Sequence, residues 1–366
     1  MTTSSIGITK RELDTPVLCL DRRRFEQNMS AMADATRRAG VRWRPHAKCH
    51  KSTTIARRLL EAGVIGLTCA KLGEAEVMAD AGVEDLLIAN MIVGPQKLER
   101  LVALRRRADP IVCIDHVDQA RPLAEVMRRA QLRQRVLLEV DIGLNRVGVA
   151  PGEPALVLAR EIKQMPSLEL AGVMGYEGHT LAMPNATEKR DAIHAALTLL
   201  TQTRDLLAAE GIDCPIVSCG GTGSYPYAIK QPGITEVQAG GAIFMDAFYR
   251  HACNITGLQY ALTVLTTIVS RPMDDRAIID AGRKTLNTET HTPAILGRDD
   301  IRVESLSAEH GTLKLDLSAR DLKIGDRLEL IPGYADMTTV LHDAFHVFDD
   351  EQLVAVWPME AHGRIQ

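Results

Sequence analysis

No apolar run in these 366 residues reaches bilayer-spanning length, and the first five, Met1-Thr2-Thr3-Ser4-Ser5, lack the charged-then-apolar build of a signal peptide. Excess positive charge is missing too. The net charge of −4 argues against nucleic acid or an anionic membrane as the main partner. The 7 cysteines show no CxxC spacing; most (Cys19, Cys69, Cys113, Cys214, Cys219) sit in or beside apolar strand-like runs. That pattern predicts reduced, buried thiols in the cytoplasm rather than a disulfide framework or zinc site. There is no internal repeat and no low-complexity segment. The hydrophobic share of 46% and charged share of 25% are those of an ordinary soluble globular chain, long enough for a large domain and a smaller one.

What the chain does contain is alternation. Short β-type runs at 16–20, 42–45, 66–69, 85–89, 111–114, 136–140, 171–175 and 216–218 alternate with amphipathic segments at 22–39, 53–62, 72–81, 95–107, 117–129, 151–164 and 187–210. About eight β-then-α units in this length predict an α/β fold, an N-terminal (β/α)8 TIM-type barrel, with an open doubly wound sheet as the other possibility. After Phe244 the pattern becomes strands without long helices. The expected division is a barrel over 15–250 and a C-terminal mostly-β domain over 251–366, joined by the N-terminal segment 1–14.

Active sites of such barrels lie at the C-terminal ends of the strands. Four clusters fall there. The first is Arg44-Pro45-His46-Ala47-Lys48-Cys49-His50-Lys51, where neighbouring cations and desolvation suit a nucleophilic or basic lysine. The second places Arg146 just past the 136–140 run, able to donate to an anionic oxygen or form a surface ion pair. The third, Tyr176-Glu177-Gly178-His179, packs three titratable groups between glycines, with Tyr176 a candidate cofactor partner and His179 either functional or a satisfied strand-end histidine. The fourth, Cys219-Gly220-Gly221-Thr222-Gly223-Ser224, is a glycine-rich loop suited to a phosphate, with Gly240 and Gly241 completing the cradle. In the smaller domain Tyr334-Ala335-Asp336, followed by His342 and His346, could place a carboxylate on a divalent metal or be a solvated loop.

Taken together with Leu13-Asp14-Thr15-Pro16 and Asp280-Ala281-Gly282-Arg283-Lys284, these motifs resemble, in order and over nearly the whole chain, the D-threonine aldolase and D-serine dehydratase family of fold-type III, alanine-racemase-like enzymes. The resemblance implies pyridoxal 5'-phosphate as cofactor, a small-molecule D-amino acid substrate and a homodimer. By position, Lys48 matches the Schiff-base lysine, with His46 beside it. Arg146 matches the arginine near the phenolic oxygen, Tyr176 the tyrosine near the ring nitrogen, and Gly221, Thr222, Gly223, Gly240 and Gly241 the phosphate cradle. A tyrosine at the ring nitrogen leaves the pyridine largely unprotonated and confines the reaction. Two departures stand out. The family's glycine-Ser-Tyr reads Gly240-Gly241-Ala242, and its His-x-Cys or His-x-Asp metal pair reads Tyr334-x-Asp336. Asp336 is therefore the one expected ligand for Mn, Mg or Zn, helped by His179 or His342, unless Tyr334 acts as acid or base itself.

The implied activity is retro-aldol cleavage of a D-configured β-hydroxy-α-amino acid to glycine and an aldehyde, with Lys48, Tyr334 and His179 as catalytic residues. Dehydration of D-serine or D-3-hydroxyaspartate to a 2-oxo acid and ammonia is one alternative. Racemisation between Lys48 and Tyr334 is a second, and a non-catalytic pyridoxal phosphate carrier a third.

Overall fold

Strands that are apolar on both faces need cover on both faces, which a closed parallel sheet ringed by helices supplies. The computed structural model describes residues 6–366. Its first part runs β1 (Val17–Asp21), α1 (Arg22–Arg38), β2 (Arg42–Trp43), α2 (Thr53–Glu61), β3 (Leu67–Cys69), α3 (Leu72–Asp80), β4 (Asp85–Met91) and α4 (Pro95–Arg105). It continues β5 (Asp109–Ile114), α5 (Val117–Arg129), β6 (Gln134–Glu139), α6 (Glu153–Lys163), β7 (Leu168–Met174), α7 (Ala186–Ala209), β8 (Ile216–Cys219), the single turn α8 (Tyr225–Ala228) and β9 (Glu236–Val237).

Strands β2 to β9 form one parallel sheet in the order β2-β9-β8-β7-β6-β5-β4-β3. The edges meet where Ile65 N–H donates to Trp43 O at 3.1 Å, Thr68 N–H donates to Pro45 O at 3.0 Å, and His46 bridges Thr68. This is the expected eight-stranded barrel, with two corrections. The 16–20 run is not a barrel strand: β1 pairs antiparallel with Leu262–Met273 and parallel with Ala344–Asp349. The missing strand is β9, too short at two residues to leave a periodic signal. The glycine-rich loop therefore follows the seventh barrel strand rather than the eighth.

Register puts the barrel's inward side chains in layers. At the N-terminal end Arg44, fully buried, bonds Glu236 at 2.9 Å and Asp85 at 3.1 Å, while Arg135 reaches Asp85 and Asp109, each at 2.8 Å. Above them lies an apolar layer of Leu87, Ile111, Cys113, Leu137, Ala171, Met174 and Ile216. Arg44 thus leaves the basic cluster its sequence position suggested and serves the barrel floor.

The second part comprises β10 (Leu262–Met273), β11 (Arg276–Ile279), β12 (Ala294–Ile295), β13 (Ile301–Leu306), β14 (Gly311–Leu315), β15 (Arg327–Ile331), α9 (Ala335–Thr339), β16 (Ala344–Asp349) and β17 (Gln352–Pro358). Six strands close as β11-β14-β13-β12-β15-β10, with β10 returning to β11, and β1, β16 and β17 extend the sheet. Phe25 packs on Phe244 and Trp357, and Phe244 on Phe345, at centroid distances of 5.4–6.4 Å. The described residues through Ala31 cluster with Gly241–His362, and Met32–Gly240 cluster with Gly363–Gln366. The division falls at 31/32 and 240/241, away from the expected 14/15 and 250/251, because β1 belongs to the β-rich sheet.

Candidate active site

The lysine turn is built by close approach. Past β2, His46 caps a single helical turn, Ala47–Cys49, its Nδ1 accepting the Lys48 N–H at 3.4 Å, and its own N–H donates to Gln238 O at 3.2 Å. A Cβ at Gly240 would lie 2.4 Å from His46 O, so only glycine lets the end of β9 come this close. Lys48 is half-buried. Burial, reinforced by Lys48 and Lys51, holds the His46 imidazole well below its usual range, and burial pushes His50 down to about 3. Both rings are neutral at physiological pH. Lys51 turns aside to pair with the buried carboxylate of Glu74.

Three further loops leave parallel strands at this same rim. After β6, Asp141 accepts the N–H groups of Gly143 and Asn145, each at 3.0 Å, and Asp115 accepts that of Gly148 at 2.8 Å. This places the exposed Arg146 over the Tyr176 ring, 5.9 Å from its centroid. After β7, the Tyr176 ring lies against Gly178 and Gly221, where added Cβ atoms would come within 2.6 Å and 3.0 Å of it. After β8, Thr222 is 2% exposed and its Oγ1 has no hydrogen-bond partner. A buried hydroxyl left unsatisfied costs about 1–3 kcal/mol, a cost that a ligand oxygen would remove. The structure thus links Arg146, Tyr176, Gly221 and Thr222 through one loop cluster, and His46 with Gly240 through another on the same rim. His179 is exposed, its ring packed over Gly143.

A cofactor bearing an aldehyde and a phosphate fits these residues: an amine on a held turn, a glycine-lined loop with an unsatisfied buried hydroxyl, and a guanidinium stacked on a phenol. Sequence reasoning passed over Glu139 at the top of the barrel interior. It is 3% exposed, its Oε2 has no partner, and burial pushes it up to about 7 against the pull of Arg146. The available signal was a carboxylate ending the apolar run 136–138.

In the β-rich unit the Tyr334 hydroxyl donates to Asp336 Oδ2 at 3.0 Å. The Tyr334 ring stands edge-on to Phe248 and Tyr249, at 5.6 Å and 5.8 Å. Gly241, expected in the phosphate cradle, makes room for Tyr249: a Cβ would meet that ring at 2.6 Å. Asp246, also missed, is fully buried and accepts the N–H groups of Tyr249 and Ala335, each at 2.8 Å. Burial, with the charge of Asp336 adding, pushes it up to about 8. A divalent ion does not fit this donor set. Among the described residues no three His, Cys, Asp or Glu side chains gather as ligands. His342 Nε2 is bonded to Thr285 O at 3.0 Å.

Comparison with known proteins follows the same division. The alanine racemase N-terminal domain matches residues 20–247 and a serine dehydratase domain matches residues 261–348. The chain is 35% identical over 353 residues to a D-threonine aldolase of an Arthrobacter species, covering 96% of this chain and 93% of that one. It is 32% identical over 368 residues to 3-hydroxy-D-aspartate aldolase of Paracoccus denitrificans, covering 98% and 94%. The crystal structure of D-threonine aldolase from Filomicrobium marinum superposes with a TM-score of 0.96 at 36% identity, covering 99% of this chain and all of that one. D-threo-3-hydroxyaspartate dehydratase from Delftia sp. HT23 superposes with a TM-score of 0.87 at 27% identity, covering 96% and 98%.

Proposed function

Because this chain belongs to the alanine racemase N-terminal domain family, of fold-type III, we propose that it is a pyridoxal-phosphate lyase that cleaves a D-configured β-hydroxy-α-amino acid into glycine and an aldehyde. The observation that carries this reading is full-length similarity to two aldolases, joined to a barrel rim whose residues fit the cofactor. Lys48 would hold the cofactor covalently. Thr222 and the backbone of Gly221 and Gly223 would hold its phosphate, Tyr176 its ring nitrogen, and Arg146 its phenolic oxygen. When bound, the cofactor supplies an electron sink for the pair left on Cα when the Cα–Cβ bond breaks. The neutral His46 and its N–H to Gln238 O keep the Lys48 turn in place. A base must take the proton of the substrate's β-hydroxyl, a role this reading gives to Tyr334.

Similarity to a dehydratase over the full chain supports a second reading. There the Lys48 amine takes the Cα proton and the β-hydroxyl leaves, giving a 2-oxo acid and ammonia. The protein is further proposed to work as a homodimer in the cytoplasm, consistent with its buried cysteines. Among the described residues no helix is long and apolar enough to cross a membrane.

Product analysis tests the reading. Purified protein with added pyridoxal phosphate should convert D-threonine or D-3-hydroxyaspartate to glycine. A 2-oxo acid with ammonia and no glycine establishes the dehydratase instead, and the opposite enantiomer alone establishes a racemase. Lys48→Ala should lose the visible absorbance of the bound cofactor. An unchanged spectrum removes Lys48 as its anchor.

A further inference from the structure

Alternation along β6 turns Arg135, Leu137 and Glu139 into the barrel, one above the other from the ion-paired floor through the apolar layer to the rim. Glu139 ends that column, 3% exposed, with its Oε2 bonded to no protein group. Two neighbouring carboxylates are already spent. Asp115 accepts from Gln119 Nε2 at 2.7 Å and from the Gly148 N–H at 2.8 Å, and Asp141 accepts the N–H groups of Gly143 and Asn145. The loop beyond β6 is closed back onto Glu139: Val149 N–H donates to Glu139 O, and Asp141 N–H to Val149 O, each at 2.9 Å. Gly148 permits the closure, with φ at +115° and a Cβ that would lie 2.4 Å from Asp141 N. Arg146 therefore sits on a short loop tied at Glu139, and Glu139, Arg146 and Tyr176 line one small cavity. Burial pushes the Glu139 carboxyl up to about 7; Arg146 pulls it down and Asp115 adds to the rise. The other titratable groups facing it are the buried Cys113 on β5, and Tyr176 and Asp141 at the cavity.

A carboxyl held out of water with an unspent oxygen costs the fold stability, and such groups gather at functional sites. Resting on the cofactor role given to Arg146 above, we infer that Glu139 is a positioning residue: across the shared cavity its carboxylate holds the Arg146 guanidinium and offsets its charge, and so sets how strongly Arg146 acts on the cofactor's phenolic oxygen. Glu139 acts through Arg146 and not on the substrate. While Glu139 is neutral, Arg146 presents its full charge to the phenolic oxygen. Once Glu139 has released its proton to solvent, the two side chains are together near neutral, and a bound cofactor keeps its own proton to higher pH.

Two titrations of the full-length protein test this. Without cofactor, the infrared band of the protonated Glu139 carboxyl, isolated as the difference from Glu139→Gln in the same background, should fade with a midpoint of about 7. Arg146→Gln should raise that midpoint by about 0.5–1 pH unit, because the cation that favours the charged form is gone. With pyridoxal phosphate bound, the pH midpoint of the cofactor's absorbance should fall by about 0.5–1 pH unit in Glu139→Gln. Glu139→Asp, which keeps the charge, should restore most of that shift. A packing role alone would lower the melting temperature of both variants and leave the absorbance midpoint fixed. A carboxyl midpoint unmoved by Arg146→Gln, or an absorbance midpoint equal in wild type and Glu139→Gln, would each overturn the inference and leave the lyase reading standing. Failure of the wild type to take up pyridoxal phosphate would remove the lyase reading and, with it, the role of Glu139 at the phenolic oxygen.

Discussion

Replacing Gly240 by alanine should loosen the turn that presents Lys48 without touching Lys48. The added Cβ would sit 2.4 Å from His46 O, 2.9 Å from His46 N and 3.1 Å from His46 C, all backbone atoms. The closest of these is roughly 1 Å short of van der Waals contact, and no rotamer change can relieve it. The segment has little freedom to retreat. His46 N–H donates to Gln238 O at 3.2 Å, Arg44 N–H to Val237 O at 2.9 Å, and Trp43 Nε1 to Ala239 O at 2.8 Å. Forced overpacking costs about 1–3 kcal/mol, and losing the His46–Gln238 bond adds about 1 kcal/mol.

Together these lower the melting temperature by roughly 5–15 °C for a unit of this size. Cofactor absorbance per chain should fall in parallel, because His46 caps the turn that carries Lys48. Gly82→Ala is the control: its φ is +90° and no atom lies within 4 Å of the added Cβ. It should cost about 1 kcal/mol of backbone strain and leave cofactor loading alone. Differential scanning calorimetry with absorbance on the same samples reads both effects. If Gly240→Ala melts with the wild type and loads fully, the close approach does not hold the Lys48 turn.

Two further outcomes follow from groups the barrel leaves unsatisfied. Thr222→Val removes a buried hydroxyl without a partner, so the apo protein should gain up to about 1 kcal/mol while pyridoxal phosphate binds roughly tenfold more weakly; a loss in both would show that Thr222 serves the fold alone. Glu139 keeps its proton in the folded state up to about pH 7, against 4.5 when unfolded. The unfolded chain therefore releases this proton first, so the contribution of Glu139 to stability is most favourable below pH 4.5 and falls by up to about 3 kcal/mol as pH rises through 7. Asp246, raised to about 8, acts in the same direction. Urea midpoints between pH 5 and 8 should decline less steeply in Glu139→Gln than in the wild type; equal slopes would mean that the Glu139 carboxyl ionises freely.

Where the chain announced itself, it did so through periodicity and through residues out of place in a strand. Helices α1 to α7 and strands β3 to β8 follow their hydrophobic pattern closely, because each buries a face wide enough to repeat. Strand β9 escaped because two residues cannot show a period, and its membership is settled by hydrogen bonds to β2 and β8. Strand β1 has the apolar build of a barrel strand but pairs elsewhere, and pairing is a long-range property that local composition does not encode. Arg44 looked like a member of the lysine cluster because adjacency in sequence hides direction: past β2 its side chain goes down to Glu236 while Lys48 sits at the rim. Glycines were the most legible site signal. Gly178, Gly221 and Gly240 each stand where a side chain would collide with Tyr176 or His46, although Gly241 proved to accommodate Tyr249.

The contacts that hold the Tyr334 ring are distinct from the bond its hydroxyl makes to Asp336. The ring of Tyr334 is held by aromatic edges and by the backbone fixed through Asp246; none of these contacts uses its hydroxyl. The hydroxyl donates to Asp336, two residues away on the same segment. Scaffold and reactive group are therefore separable. A flat side chain of another chemistry can occupy the same aromatic slot, and Asp336 remains where it is to meet it. In the barrel unit the reverse holds, since Gly240, His46 and the Lys48 turn share backbone contacts that leave no room for exchange. Substitution is then expected to be tolerated by the fold more readily at the Tyr334 slot than at Gly240.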